Sequence, residues 1–156
     1  MDDLTLARAL HVLSVVHWIG GVAFVTLVLL PAVRKLASPR ERVALFEKIE
    51  RRFAVQARIS TLIAGLSGYW MTARLDAWSR FADHRFWWMH AMLGLWAIFT
   101  LMLFVLEPLV LHRWFMARAQ SDPEATFTLI QRLHIALLSA SAFTVAAAVL
   151  GAHGWL

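Results

Sequence analysis

The stretch Leu10–Pro31, LHVLSVVHWIGGVAFVTLVLLP, decides how this chain is read. Its 22 residues hold no Asp, Glu, Lys or Arg. Wound as a helix at about 1.5 Å per residue, they reach roughly 30 Å, the thickness of a bilayer's hydrocarbon core. Within them lie two histidines, His11 and His17, and the pair Gly20-Gly21. An ionisable group in a membrane helix is costly and usually faces the bundle interior rather than lipid. What those imidazoles face becomes the question for the other residues.

Composition agrees with a membrane setting. The 156 residues are enough for one domain, 1–156, and 60% of them are hydrophobic. Charged residues make up 16% and mean hydropathy is +0.64, against about a quarter charged in soluble domains. Cysteine is absent, which removes disulfides, Cys-ligated zinc, iron–sulfur clusters and a thiol nucleophile. The net charge of +5 is read as membrane topology rather than nucleic-acid binding, because the basic residues gather in particular connections. Asp2 and Asp3 stand where a signal peptide would be basic, and the apolar run is too long for its core, so no cleaved signal is read.

Four apolar spans are expected, at about 9–33, 53–73, 86–112 and 133–152. They predict an all-α, integral-membrane, antiparallel four-helix bundle. The connection 34–52 carries Arg34, Lys35, Arg40, Arg42, Lys48, Arg51 and Arg52, and the connection 113–132 carries Arg113, Arg118 and Arg132. Only Arg8, Arg74, Arg80 and Arg85 lie on the other side. Ten against four puts the first and third connections in the cytoplasm and both termini outside. Tyr69, Trp70, Trp78, Phe81, Phe86, Trp87, Trp88 and Trp155 then form an outer aromatic belt.

Ser38-Pro39-Arg40-Glu41 reads as an N-cap, a first-turn proline and a capping-box glutamate, and Ser121-Asp122-Pro123-Glu124 reads the same way. Helices two and four therefore begin in the cytoplasm, before the membrane. Val43, Phe46, Ile49 and Phe53 give the stretch 39–52 an apolar stripe. A weak repeat is present: Phe46-x-x-Ile49-x-Arg51 echoes Phe127-x-x-Ile130-x-Arg132. His11 precedes Pro31 by 20 residues and His90 precedes Pro108 by 18. Two related hairpins would have a pseudo-symmetry axis along the membrane normal, whereas recurring helix-cap grammar is the plainer account.

His11 and His90 fall at similar depth on helices running the same way, within about 3–5 Å by helical rise. Two neutral imidazoles at matched depth suit six-coordinate haem iron; hydrogen bonds to carbonyls or headgroups are the alternative. His17 shares a face with Gly20, Gly21 and Phe24, where glycine admits a flat macrocycle or another helix; it is an alternative ligand or a core histidine. His134 and His112 lie near the cytoplasmic face, at an inner-leaflet haem or at the interface, and His84 and His153 lie outside. Arg58 and Glu107, each about two turns from the cytoplasmic surface, are read as an ion pair, with a haem propionate as the other partner for Arg58. Met89 and Met92 flank His90 as soft donors suited to Cu(I), or simply pack. Gly65 and Gly68 allow close helix packing.

Leu10-His11-x6-Trp18-x-Gly20-Gly21 resembles the first helix of the CopD-like (copper resistance D) membrane domain and of the HemJ-type protoporphyrinogen oxidases. Arg52-Phe53 followed by Leu66-Ser67-Gly68 is similar to the second helix of the CopD-like group, and Trp88-Met89-His90-Ala91 to the third helix of the HemJ type. The HemJ resemblance implies haem b on His11. The same family has a lysine two residues after the third-helix histidine; here that position is Met92, which argues against protoporphyrinogen oxidation. The CopD resemblance implies copper uptake or resistance.

The sequence is therefore read as a bacterial inner-membrane b-type haem protein doing electron transfer, with quinone or a periplasmic species as partner and a homo-oligomer as a further expectation. Copper handling and a non-catalytic membrane subunit are the competing classes.

Overall fold

Asp2 accepts the Leu4 N–H at 3.3 Å and opens α1 (Asp3–Phe24), which passes through a π-helical segment, Val25–Leu29, into α2 (Leu30–Leu36). Ser38 opens α3 (Pro39–Arg74), with Glu41 reaching back to it as the cap grammar requires. Beyond the end of α3 the chain turns at Asp76, whose φ of 48° is the left-handed conformation that Asp tolerates better than most residues. Two 3-10 turns, Ala77–Ala82 and His84–Phe86, lead into α4 (Trp87–Leu101). A second π-helical segment, Met102–Leu111, joins it to α5 (His112–Ser121), and Asp122 then caps α6 (Pro123–Ala152) by accepting the Ala125 N–H at 3.0 Å. The computed structural model describes residues 2–36 and 38–155, the side chains of Leu36, Pro39, Arg40, Val43, Glu47, His112 and Gln120 excepted.

The chain is all-helical, with 94% helix and no strand among the described residues. Among the described residues, three helical runs are long and apolar enough to cross a membrane: Asp3–Lys35, His84–Leu111 and Pro123–Ala152. The expected second span, 53–73, lies within α3 but is not among them. Gln56, Arg58, Ser60, Thr61, Ser67 and Thr72 lower its hydropathy, and several of these side chains bond other helices. Outward faces are oily: Leu13 is 65% exposed, Leu27 66%, Leu66 70% and Leu109 67%. Contiguous apolar faces of this kind are ordinary against lipid and rare against water.

The helices pack in layers. At one end Val25, Leu30, Val33, Phe46, Phe127 and Ile130 form a buried cluster. In the middle Trp18, Val22, Ala57, Leu95 and Phe99 form a second, with Trp18 edge-on to Phe99 at 4.7 Å. Trp88, Met89 and Ala147 form a third at the far end. α3 lies along α1, touches α4, and α4 lies along α6. The two basic connections meet at one end, where Glu124 takes both Arg34 at 3.0 Å and Arg42 at 2.7 Å. At the opposite end Arg74 pairs with Asp3 at 2.9 Å.

Two further expectations change here. Glu124 does not close a capping box; it sits one residue too early in α6 and is drawn to the two arginines instead. Trp88 is not in an aromatic belt but buried, its indole against Gly151, where an added Cβ would lie 2.1 Å from the ring nitrogen. Tyr69, Trp70, Trp78, Trp87 and Trp155 are exposed. Of the apolar stripe, Phe46 is buried and Ile49 and Phe53 are half-buried; the side chain of Val43 lies outside the described residues.

Candidate site at the interface of the first and third helices

On α1 the buried residues Ala7, Ser14, Trp18 and Val22 mark one face, and His11 lies on it by helical spacing. That face meets α3. His11 Nδ1 lies 2.9 Å from the Ala64 carbonyl and 3.2 Å from the Ser67 hydroxyl. A carbonyl only accepts, so Nδ1 carries the proton and donates it, and Nε2 of the neutral ring is a lone pair. Ser67 sends its own hydroxyl proton to the Ile63 carbonyl at 2.6 Å. Gly68 gives the ring its room: an added Cβ there would lie 3.3 Å from His11 Cε1.

Two turns deeper, His17 is held at both nitrogens, with Ser60 Oγ at 2.9 Å from Nδ1 and the Gln56 amide against Nε2. Its ring sits at the exposed edge of the helix pair. The neighbouring glycines behave differently from one another. Gly21 is filled by Phe53, whose ring would come within 2.2 Å of an added Cβ, while Gly20 faces open space. The space at Gly21 therefore serves helix packing rather than a macrocycle.

His90 lies elsewhere. Trp88, Leu95 and Phe99 mark the buried face of α4, and His90 is about 200° round the helix from Trp88. It is exposed, with Phe81 edge-on at 5.3 Å. Matched depth does not make the two imidazoles face each other, and no contact among the described residues joins them. Met89 is buried with Trp88 and Ala147, and Met92 packs on the same cluster, so neither sulfur-bearing side chain shares the outward face of His90. His134 donates Nδ1–H to the Ile130 carbonyl of its own helix at 2.9 Å, with Phe46 edge-on at 5.9 Å. His153 likewise bonds the Val149 carbonyl and is exposed, as is His84. The side chain of His112 lies outside the described residues. No group of three or more His, Asp or Glu converges as a metal site among the described residues.

The expected ion pair forms. Arg58 Nη2 donates to Glu107 Oε2, and Arg58 Nε donates to the Leu103 carbonyl at 2.9 Å. Pro108 explains the second bond. In a π-helical register the N–H of residue 108 would serve the carbonyl five residues back, that of Leu103, and proline has none. Arg58 supplies the missing donor from α3. With Nε and Nη2 so committed, the guanidinium is a structural clamp, and only its remaining edge is left for a propionate. Nothing in the sequence marks Leu103 as a partner, whereas Gln56, Ser60 and Ser67 share one face of α3, a readable signal of polar contacts between helices.

No protein-family model, no curated protein and no solved structure matches this chain.

Proposed function

We propose that this chain is a four-helix protein of the bacterial inner membrane, with both termini outside, that holds a b-type haem through His11 and works in electron transfer. One observation carries the reading: the His11 imidazole is fixed between helices with Nδ1–H on a backbone carbonyl. Metal-bound histidines are characteristically oriented in this way, which sets the tautomer and leaves Nε2 for the metal. His11 is also the position to which the HemJ resemblance assigns haem. The donor set fits a single protein ligand better than a His11/His90 pair, because His90 lies on the outward face of α4. Bound there, haem would supply one-electron chemistry tuned by its axial ligand and the local polarity. The chain's own contribution is to orient His11 through Ala64 and Ser67 and to close the site with the apolar faces of α1 and α3.

A second reading, a membrane subunit without a cofactor, is favoured by His17, which is fully engaged with Ser60 and Gln56 as an interhelical pin. Copper handling draws on Met89 and Met92, both packed against the Trp88 cluster, and is the weakest of the three. A visible spectrum of protein purified in mild detergent from cells supplied with haem precursor separates them. A Soret band and a reducible α-band are expected, abolished or converted by His11→Ala and unchanged by His153→Ala; a colourless protein with intact melting refutes the haem reading and leaves His11 as a second pin.

A further inference from the structure

At the basic end of the molecule, a cleft of about 540 Å³ opens beside α5 and the start of α6, lined by Arg118, Asp122, Glu124, Thr128, Leu129 and Arg132. Its two carboxylates are already occupied. Asp122 caps α6 through the Ala125 N–H, and Glu124 is bound by Arg34 and Arg42. Its two arginines are not so held. Arg118 lies over the exposed Trp114 ring at 5.7 Å, and Arg132, exposed, has no ion pair among the described residues. Both carboxylates of the lining are thus committed, while its two arginines have no carboxylate partner among the described residues. Its lining is also amphipathic, since Leu129 sits beside the Thr128 hydroxyl. It lies where the polar first turn of α6 gives way to a run apolar enough to cross a membrane.

We propose that this cleft binds the phosphate of an anionic phospholipid headgroup, held by Arg118 and Arg132 with the acyl chains running along the apolar face of α6. Guanidinium forks match phosphate oxygens in pairs, and basic pockets beside membrane helices are a recurring headgroup site. The inference is independent of what His11 binds.

The test is native mass spectrometry of the full-length protein released from nanodiscs of equal phosphatidylglycerol and phosphatidylcholine. Retained adducts should be enriched in phosphatidylglycerol. Arg118→Gln/Arg132→Gln should cut that enrichment roughly thirtyfold, because two charge-assisted guanidinium–phosphate contacts are lost with the charges. Arg51→Gln/Arg52→Gln removes the same charge from exposed positions of α3 on the same end but no contact to the bound headgroup, and should reduce it clearly less. Equal losses in both variants would mean diffuse attraction without a site and would overturn the proposal, as would no enrichment in the wild type. Addition of inorganic phosphate at millimolar concentration should leave the lipid adducts in place; their displacement would identify a free-phosphate site instead. Arg118→Lys/Arg132→Lys, which keeps the charge, should retain part of the enrichment, so that loss by misfolding is distinguishable from loss of the ligand contacts.

Discussion

Gly20 and Gly21 are adjacent and alike in sequence, yet their substitutions should diverge in sign. Gly21→Ala puts a methyl against Phe53 and should cost about 1–3 kcal/mol, the usual range for overpacking. Gly20→Ala meets nothing within 4 Å and should gain up to about 1 kcal/mol through helix propensity. Melting of both variants in one detergent checks this. Arg58 poses a similar question of partners. Its removal strands Glu107 at a depth where a lone charge is costly, so Arg58→Ala should lose about 3 kcal/mol, and Glu107→Gln should recover part of it. Additive melting changes in the double-mutant cycle would show that the two side chains do not stabilise one another. The pair itself was legible from the sequence, because both residues fall the same number of turns from their basic boundaries. The orientation of His11 was not, since Ala64 and Ser67 are more than fifty residues away and contribute through a backbone carbonyl that no residue type announces.

Among the elements, the helix that carries Pro108 shows how one missing N–H is repaired from outside. Pro108→Ala restores a backbone donor within reach of Leu103, so in that background Arg58→Ala should cost measurably less than in the wild type, by about the 1 kcal/mol typical of one hydrogen bond. An unchanged cost would mean that the Leu103 contact contributes nothing. At the start of α3 the Ser38 hydroxyl, at 2.7 Å, and the Ser38 N–H, at 2.9 Å, both donate to Glu41 and hold its carboxyl below the usual carboxylate range. A lowered native pKa contributes stability above the unfolded value, near pH 4.3, that is lost as pH falls through the native one. The melting advantage of wild type over Glu41→Gln should therefore be present at pH 7 and shrink below about pH 4; an advantage that grew on acidification would contradict the cap geometry. The cap at Ser38 was readable because capping chemistry is local, and the start of α6 was readable to within one residue, Asp122 serving as N-cap in place of Ser121. The two π-helical segments were not, although each lies at or just before a proline, Pro31 or Pro108.

For the molecule as a whole, the proposed orientation rests on the basic end being cytoplasmic. A reporter fused after Leu156 should register the periplasm and one near Ala119 the cytoplasm; the reverse pattern would overturn the orientation and move the His11 site to the other leaflet. The basic end is held together by aromatic packing. Phe46 and Phe127, the first residues of the echoing motifs, are both buried and meet edge-to-face at 6.4 Å.

Sequence alone determined what depends on counting and on local spacing: the helical class, three of the four membrane-length apolar runs, the helix starts to within a residue and the gathering of basic residues in two connections. Those properties follow from residue type and from a fixed rise per residue. Azimuth was decided only by tertiary packing. Helical rise puts His11 and His90 at similar positions along their helices, but Trp88, Leu95 and Phe99 claim the inner face of α4 and turn His90 outward, while the small residues Ala64, Ser67 and Gly68 let α3 approach closely enough to hold His11. Rise is set by backbone hydrogen bonds within one helix; which side of the helix faces inward is set by whichever bulky side chains its neighbours can bury.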